Sequence, residues 1–197
     1  MTHSSTAAKA APSHEQQSLT LLIDRLATPI GEMLIIADQL GSLRATSWSD
    51  SETEFFQYLC KQYGAIANAL QAAANPNGLT EAIRSYFEGN LKAIDDLPVD
   101  TLGTPFQKEV WTALRAIPCG TTISYSQLAS RIGRPAAVRA VGLANGSNPV
   151  GVIVPCHRVI GADGSLTGYG GGLPRKEWLL RHESALPQTR TGQPSLF

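Results

Sequence analysis

The sequence predicts two domains of different class. The first is an α/β domain, an antiparallel sheet with helices. The second is mainly α and carries a winged-helix or helix-turn-helix motif. Three observations predict this. Residues 19–49 read as strands separated by turn signals, residues 104–145 read as helices interrupted by glycine, and a Pro-containing stretch at 96–103 divides the two patterns. Of the 197 residues, 43% are hydrophobic, enough to build a core.

Residues 1–18 are rich in Ala, Ser, Thr and Gln without periodicity, which predicts a disordered arm. Strands are expected at 19–26, 32–38 and 42–48, split by turn signals at 29–31 and 40–41, giving a three-stranded antiparallel meander. Residues 52–70 are helical in composition, with Phe55, Phe56, Leu59, Ile66 and Leu70 apolar. Residues 75–78 break that pattern, and 79–87 form a second short helix ended by Gly89. These elements make up an N-terminal domain over 19–95, with a linker over 96–103.

The C-terminal domain is expected over 104–184 and a flexible tail over 185–197. Thr104 can cap a helix over 104–117 with Pro105 at its first position, and Phe106, Val110, Trp111 and Leu114 form its apolar stripe. Ser124 and Gln127 make a capping-box pattern that opens a short helix through Arg131. Gly133 turns the chain, and Pro135 starts a second helix running to about Asn145. Helix, glycine turn and helix in this order is a helix-turn-helix pattern. Residues 150–154 read as a short strand stopped by Pro155, and a glycine-rich loop at 161–172 precedes a last helix at 175–182.

Charge is divided between the halves. Residues 1–100 hold 6 basic and 12 acidic side chains, whereas residues 101–197 hold 10 basic and 4 acidic. The basic half, net +6, is the one carrying the helix-turn-helix pattern, which points to a polyanionic partner. In the second of those helices Ala136, Ala137, Ala140, Gly142 and Ala144 are small, and small side chains let a helix approach a nucleic-acid groove. One long cation, Arg139, stands among them, and Arg131 and Arg134 are placed to reach phosphates.

Several classes are excluded. Charged residues are 16%, too few for a coiled coil, and no stretch nears the roughly 20 apolar residues of a membrane span. Residues 1–18 hold no apolar core of a signal peptide, so a cytoplasmic location and no membrane contact are expected. Three cysteines, an odd number, fit a reducing compartment. A zinc deaminase would need a second Cys after Pro155 and Cys156, and the glycines at 168–172 lack the Lys-Ser/Thr of a phosphate loop. No metal and no cofactor are expected.

Cys156 is the chemical signal. It follows a predicted strand end and precedes His157, and a thiol becomes a good nucleophile when a neighbouring base or cation lowers its pKa. Glu183, near the end of the last helix, is a candidate to orient His157. Cys119, in a turn, and Cys60, on the apolar side of a helix, read as structural.

The run Pro155, Cys156, His157, Arg158, Val159 has Asn148 and Pro149 before it. Gly168, Tyr169 and the Lys176, Glu177, Trp178, Leu179, Leu180 run follow. Together with Arg139 to Gly142, these motifs resemble the O6-alkylguanine-DNA alkyltransferases, also called methylated-DNA–protein-cysteine methyltransferases. The resemblance is dense over 104–184 and general over 19–95, where it implies a ribonuclease-H-like α/β fold.

It also implies a function: flipping O6-alkylguanine out of duplex DNA and moving the alkyl group irreversibly to Cys156, with action on O4-alkylthymine left open by the sequence. Such a protein binds double-stranded DNA through the minor groove, acts once, and is expected to be a monomer. By resemblance, His157 and Glu183 form the relay of Cys156 through a water. Asn148 buttresses the turn below it, and Tyr125 gives a proton to the departing base. Arg139 fills the gap left by the flipped nucleotide, with Arg134, Ala137 and Ala140 at the DNA. Tyr169 and Gly170 belong to a loop over the base, and Lys176 keeps the site polar. Some members have serine where Gly170 stands, so side-chain help to the base is lost there. Two other readings remain: a non-enzymatic helix-turn-helix damage sensor or regulator, and a cysteine hydrolase with a Cys-His-Glu triad.

Overall fold

The computed structural model describes residues 19–186. The expected arm over 1–18, and residues 187–197 of the expected tail, lie outside the described residues.

Strands β1 (Leu21–Thr28), β2 (Gly31–Asp38) and β3 (Leu43–Trp48) form the antiparallel meander. Strand β2 carries an unbroken apolar run because both of its faces are buried. Leu34 and Ile36 face α1 (Glu52–Tyr63) together with Phe55, Leu59 and Tyr63. Met33, Ile35 and Ala37 point the other way, into a second cluster. That cluster includes Ile83 and Tyr86 of α2 (Leu79–Phe87) and continues without a break into the C-terminal half through Trp111, Leu114, Val152 and Cys156. The two halves therefore share one core.

The structure departs from the sequence expectation in this half. The helix expected over 52–70 stops at Tyr63, because Gly64 adopts φ 58° and the chain continues as a 3-10 turn over Gly64–Ala69. A two-residue strand, β4 (Gln71–Ala72), pairs parallel with β1, and nothing in its composition announces it. Cys60 is exposed rather than on the apolar side of α1.

The sheet order is β3-β2-β1-β4, so β3 is an edge strand. An open edge is a pairing hazard, and here the 96–103 linker and the C-terminal half cover it. Leu43 N–H donates to Pro98 O at 2.8 Å and Thr46 N–H to Pro149 O at 2.8 Å. Thr46 Oγ1 adds a bond to Gly151 O at 3.1 Å. The edge of the N-terminal sheet thus holds the chain just before Cys156.

In the C-terminal half, α3 (Pro105–Arg115) starts at a capping box between Thr104 and Gln107. A second capping box, Ser124 with Gln127, opens α4 (Tyr125–Arg131). Gly133 takes φ 71° in the turn that follows, and the chain re-enters helix as α5 (Val138–Gly146) after a short 3-10 turn. Strands β5 (Ile123–Ser124) and β6 (Val159–Ile160) pair parallel beside them. The last helix, α6 (Leu173–His182), begins two residues earlier than expected, with Pro174 in its first turn. Beyond it Ala185 and Leu186 donate back to Leu180 O, so the start of the expected tail is tied to this helix. Among the described residues no helix is long and apolar enough to cross a membrane.

The strand expected at 150–154 is instead a tight turn. Val154 N–H donates to Val150 O at 2.9 Å, and Val152 sits at φ 74°, a strained conformation for a β-branched residue. Its apolar composition reflects burial, since Val150, Val152, Ile153 and Val154 are all core residues.

Helix α4 presents Tyr125 at its first position, so its cap also orients that ring. Ser124→Ala removes the acceptor for Gln127 N–H and should lower unfolding free energy by about 1 kcal/mol. The measure is a lower urea midpoint at unchanged slope; an unchanged midpoint would mean the cap contributes nothing.

Candidate active site

Cys156 opens a 3-10 turn, Cys156–Arg158, at the inner end of the strained turn. It is 7% exposed. Asn148 holds both ends of the segment leading to it: Nδ2 donates to Val154 O at 2.8 Å, and Oδ1 accepts from Val150 N–H at 3.0 Å.

Behind the thiol lies a buried charge network. His157 is fully buried, and its Nε2 meets Glu183 Oε1 at 3.0 Å. Arg158 grips the same carboxylate with two donors, Nε to Oε2 and Nη2 to Oε1, each at 2.8 Å. Its Nη1 donates to Ile117 O at 2.6 Å. Tyr86 Oη, from the N-terminal half, donates to Glu183 Oε1 at 2.8 Å. Burial alone would raise the Glu183 carboxyl, but the bonds from His157 and Arg158 outweigh it and hold the group well below the usual carboxylate range. Glu183 is therefore an anion, and His157 donates to it from Nε2 as a neutral ring.

Burial pushes the His157 pKa down, against the opposing hydrogen bond to Glu183. Its Nδ1 is buried and meets no partner among the described residues, which leaves a lone pair able to accept a proton. The thiol corrects the sequence expectation. Burial raises the pKa of Cys156, and Asn148 and the positive charge of Lys176 offset this only in part. Burial thus opposes a resting thiolate at Cys156.

Lys176 is fully buried, and its Nζ donates to Val159 O at 2.6 Å and Thr167 O at 2.5 Å. It thereby ties both sides of the glycine-rich loop to α6. Burial lowers its pKa to about 8, while the neighbouring Cys156 pulls the other way. Tyr169 is half-buried on this loop, with its ring 6.5 Å from that of His157 at a near-perpendicular angle. Gly170 is exposed. Gly171 is required by space, because a Cβ there would lie 2.5 Å from Trp48 Nε1. Tyr125 packs between Gly142 of α5 and the loop at Gly168, with Oη 3.4 Å from Thr167 O.

A cavity of about 310 Å³ joins these parts. Cys156, Tyr169 and Asn148 line it from the C-terminal half, and Trp48 and Tyr58 from the N-terminal half. Arg175 fastens the loop across this seam: its guanidinium lies 4.6 Å above the Trp48 ring, donates to Ile30 O at 2.9 Å and Gly171 O at 3.0 Å, and pairs with Asp50 at 2.7 Å.

On α5, Arg139 and Ala140 are exposed on one face and Ala137 is half-buried before it. Ala144, read from sequence with that small-residue face, is buried and belongs to the core. Leu143, one turn beyond Arg139, is 72% exposed and was not singled out from sequence. Arg134 is exposed, but its guanidinium pairs with Glu109 at 3.2 Å and lies over Phe106. Sequence reasoning also missed Tyr86 and Trp48, which lie far from the motif along the chain, and Arg175, which adjoins the Lys176 run but carries no signal of its own. Arg158, quoted only as part of the motif, is the strongest anchor of Glu183.

Fold and site together define a two-domain protein with a ribonuclease-like half and a helix-turn-helix half around a buried Cys-His-Glu cluster. The profile described as "6-O-methylguanine DNA methyltransferase, DNA binding domain" matches residues 105–185, and "6-O-methylguanine DNA methyltransferase, ribonuclease-like domain" matches 21–101. The chain belongs to this family, the methylated-DNA–protein-cysteine methyltransferases. A relative of that name from Shigella flexneri is 52% identical over 168 residues, covering 85% of this chain and 98% of its own. One from Methanosarcina acetivorans is 41% identical, covering 80% and 95%. The Mycobacterium tuberculosis O6-methylguanine methyltransferase crystal structure superposes with a TM-score of 0.69 at 37% identity, over 86% of this chain and 96% of that one. A crystal structure of the M. tuberculosis protein in complex with DNA superposes at 0.68 with 38% identity, over 84% and 93%.

The network sets a pH dependence. His157 and Glu183 both bind protons less readily folded than unfolded, so stability rises with pH. Stability should be full above the ordinary His value of 6.5, fall below it as unfolding lets His157 take a proton that the buried ring resists, and fall further below 4.5 as unfolding does the same for Glu183. Urea midpoints across this range check it; a level profile from about pH 7 to about pH 4 would contradict the assigned proton states.

Proposed function

We propose that the chain repairs DNA by transferring the alkyl group of O6-alkylguanine to Cys156. The carrying observation is a buried thiol beside a neutral imidazole whose outer nitrogen is free and whose inner nitrogen is held by an ionised carboxylate. The alkylated base is extruded from the duplex at the minor groove beside α5 and enters the cavity. The small exposed residues of that helix permit close approach, and Arg139 takes the vacated place in the stack. Arg134 and Ala137 lie at the same contact, and the protein acts as a monomer in the cytoplasm. The loop bearing Tyr169 and Gly170 closes over the base.

His157 draws the thiol proton through a water at Nδ1, while Glu183 stabilises the imidazolium that forms. The thiolate attacks the alkyl carbon opposite the C–O6 bond. The S–C bond forms as C–O6 breaks, the electron pair moves into the base, and Tyr125 supplies a proton at a ring nitrogen. Burial keeps the thiol protonated at rest, so the nucleophile is made only when a substrate is present to receive it. The thioether is stable and each molecule reacts once. A cysteine hydrolase would cycle, and a damage sensor would bind without transferring.

Intact-mass measurement after exposure to a methylated oligonucleotide tests the reading. Wild type should gain one methyl group and no more. Cys156→Ser should gain none yet bind DNA nearly as well, whereas Cys60→Ser and Cys119→Ser should react normally. Loss of transfer in a folded Cys119→Ser protein would overturn the assignment.

Arg139→Ala separates extrusion from binding. It should cost about one phosphate contact in the salt dependence of affinity, and a larger factor in single-turnover rate on duplex DNA. Free O6-alkylated base needs no extrusion, so its rate should barely change. Equal losses on free base and duplex would remove Arg139 from this role.

A further inference from the structure

Asn145 lies in the last turn of α5 and is 2% exposed. It lines the same cavity as Cys156 and Tyr169. Its Oδ1 is buried and has no hydrogen-bond partner among the described residues, a state shared there with His157 Nδ1 alone.

The polar groups beside it along the chain are engaged with other partners. Asn148, three residues on, uses both of its amide atoms on the turn below Cys156. Trp111 Nε1 donates to Ala144 O at 2.8 Å, and Ser147 Oγ donates to the same carbonyl at 3.0 Å. An unpaired buried amide costs roughly 1–3 kcal/mol, and an apolar side chain of the same shape would avoid that cost. Folding alone gives this position no reason to be Asn. The position faces the reactive cavity, so its partner is what enters the cavity.

A carboxamide offers two donors and an acceptor, and turning about its last bond brings either atom forward without moving the helix. A base alkylated at O6 presents the complement: a ring nitrogen that has lost its proton and accepts, beside an exocyclic amine that donates. We propose that the side-chain amide of Asn145 hydrogen-bonds the extruded base and is a substrate-recognising residue of this cavity. The proposal rests on the alkyl-transfer reading and adds to it a polar contact made in the cavity, not in the DNA groove.

The test uses the full chain with Asn145→Leu, and Asn145→Ala as a variant that adds no volume. Single-turnover transfer is measured from free O6-methylguanine and from a methylated duplex, with affinity for undamaged duplex and the urea midpoint alongside. Both variants should transfer roughly ten- to a hundredfold more slowly, by a similar factor on free base and duplex. Affinity for undamaged duplex should stay within about twofold, and the Leu variant should keep or raise the urea midpoint. That pairing, slower reaction with undiminished stability, is one that a structural amide would not produce. Variants that match wild-type rates on free base overturn the proposal, and so does a rate loss that tracks a lowered midpoint in both. Wild type that transfers no methyl group to Cys156 brings down the alkyl-transfer reading itself, and this proposal with it.

Discussion

The carboxylate of Glu183 is the point on which the rest of the site depends. Four hydrogen bonds from three side chains converge on its two oxygens, from Tyr86, His157 and Arg158. They come from the N-terminal half, the turn of the reactive thiol and, through Glu183 itself, the end of α6. A buried ion pair of this kind gives little net stability, because desolvation consumes most of the attraction. What it does give is position. The two-donor grip of Arg158 permits one orientation of the carboxylate, which in turn fixes the imidazole and aims its remaining lone pair.

Around that anchor, strain and fastening oppose each other. Val152 is held at φ 74° in a turn that Asn148 pins at both ends and the edge of β3 grips from outside. The cost of such a conformation is of order 1–3 kcal/mol, and it persists only where the surroundings leave no alternative. Its product is a sharp delivery of Cys156 to the cavity wall. Lys176 and Arg175 do the same for the facing loop, one from beneath through backbone carbonyls and one from above across the domain seam.

Much of this was legible in the chain. The meander strands, α2, the Thr104 cap, the capping box of Ser124 with Gln127 and the helix-glycine-helix order followed from local chemistry, and local chemistry is what forms them. Cys156, His157 and Glu183 were named from motif and resemblance, and the structure brings His157 and Glu183 into contact. What escaped was set by tertiary packing. The apolar run at 150–154 resembles a strand because burial and strand formation select the same residues, and what makes it a turn, the Val154 to Val150 bond and the Asn148 contacts, has no apolar signature. The raised thiol pKa could not be foreseen, since the adjacent imidazole was visible in the sequence and the depth of burial was not. Tyr86 and Trp48 carry no motif and sit 70 or more positions from Cys156 along the chain. The lone buried amide of Asn145 has no signature until its neighbours are counted.

The bond from Tyr86 to Glu183 bears on whether the chain can be divided. Every reacting group proposed here lies after Thr104, so a fragment beginning there would contain a complete set of chemical parts. It would lack the phenol that fills a coordination position of the carboxylate, the β3 edge that clamps the turn, and the Trp48 wall behind Gly171. Its apolar residues now shared with the sheet would face water. The halves look like modules when read along the sequence, but physically the N-terminal sheet serves as the mould in which the reactive half is set.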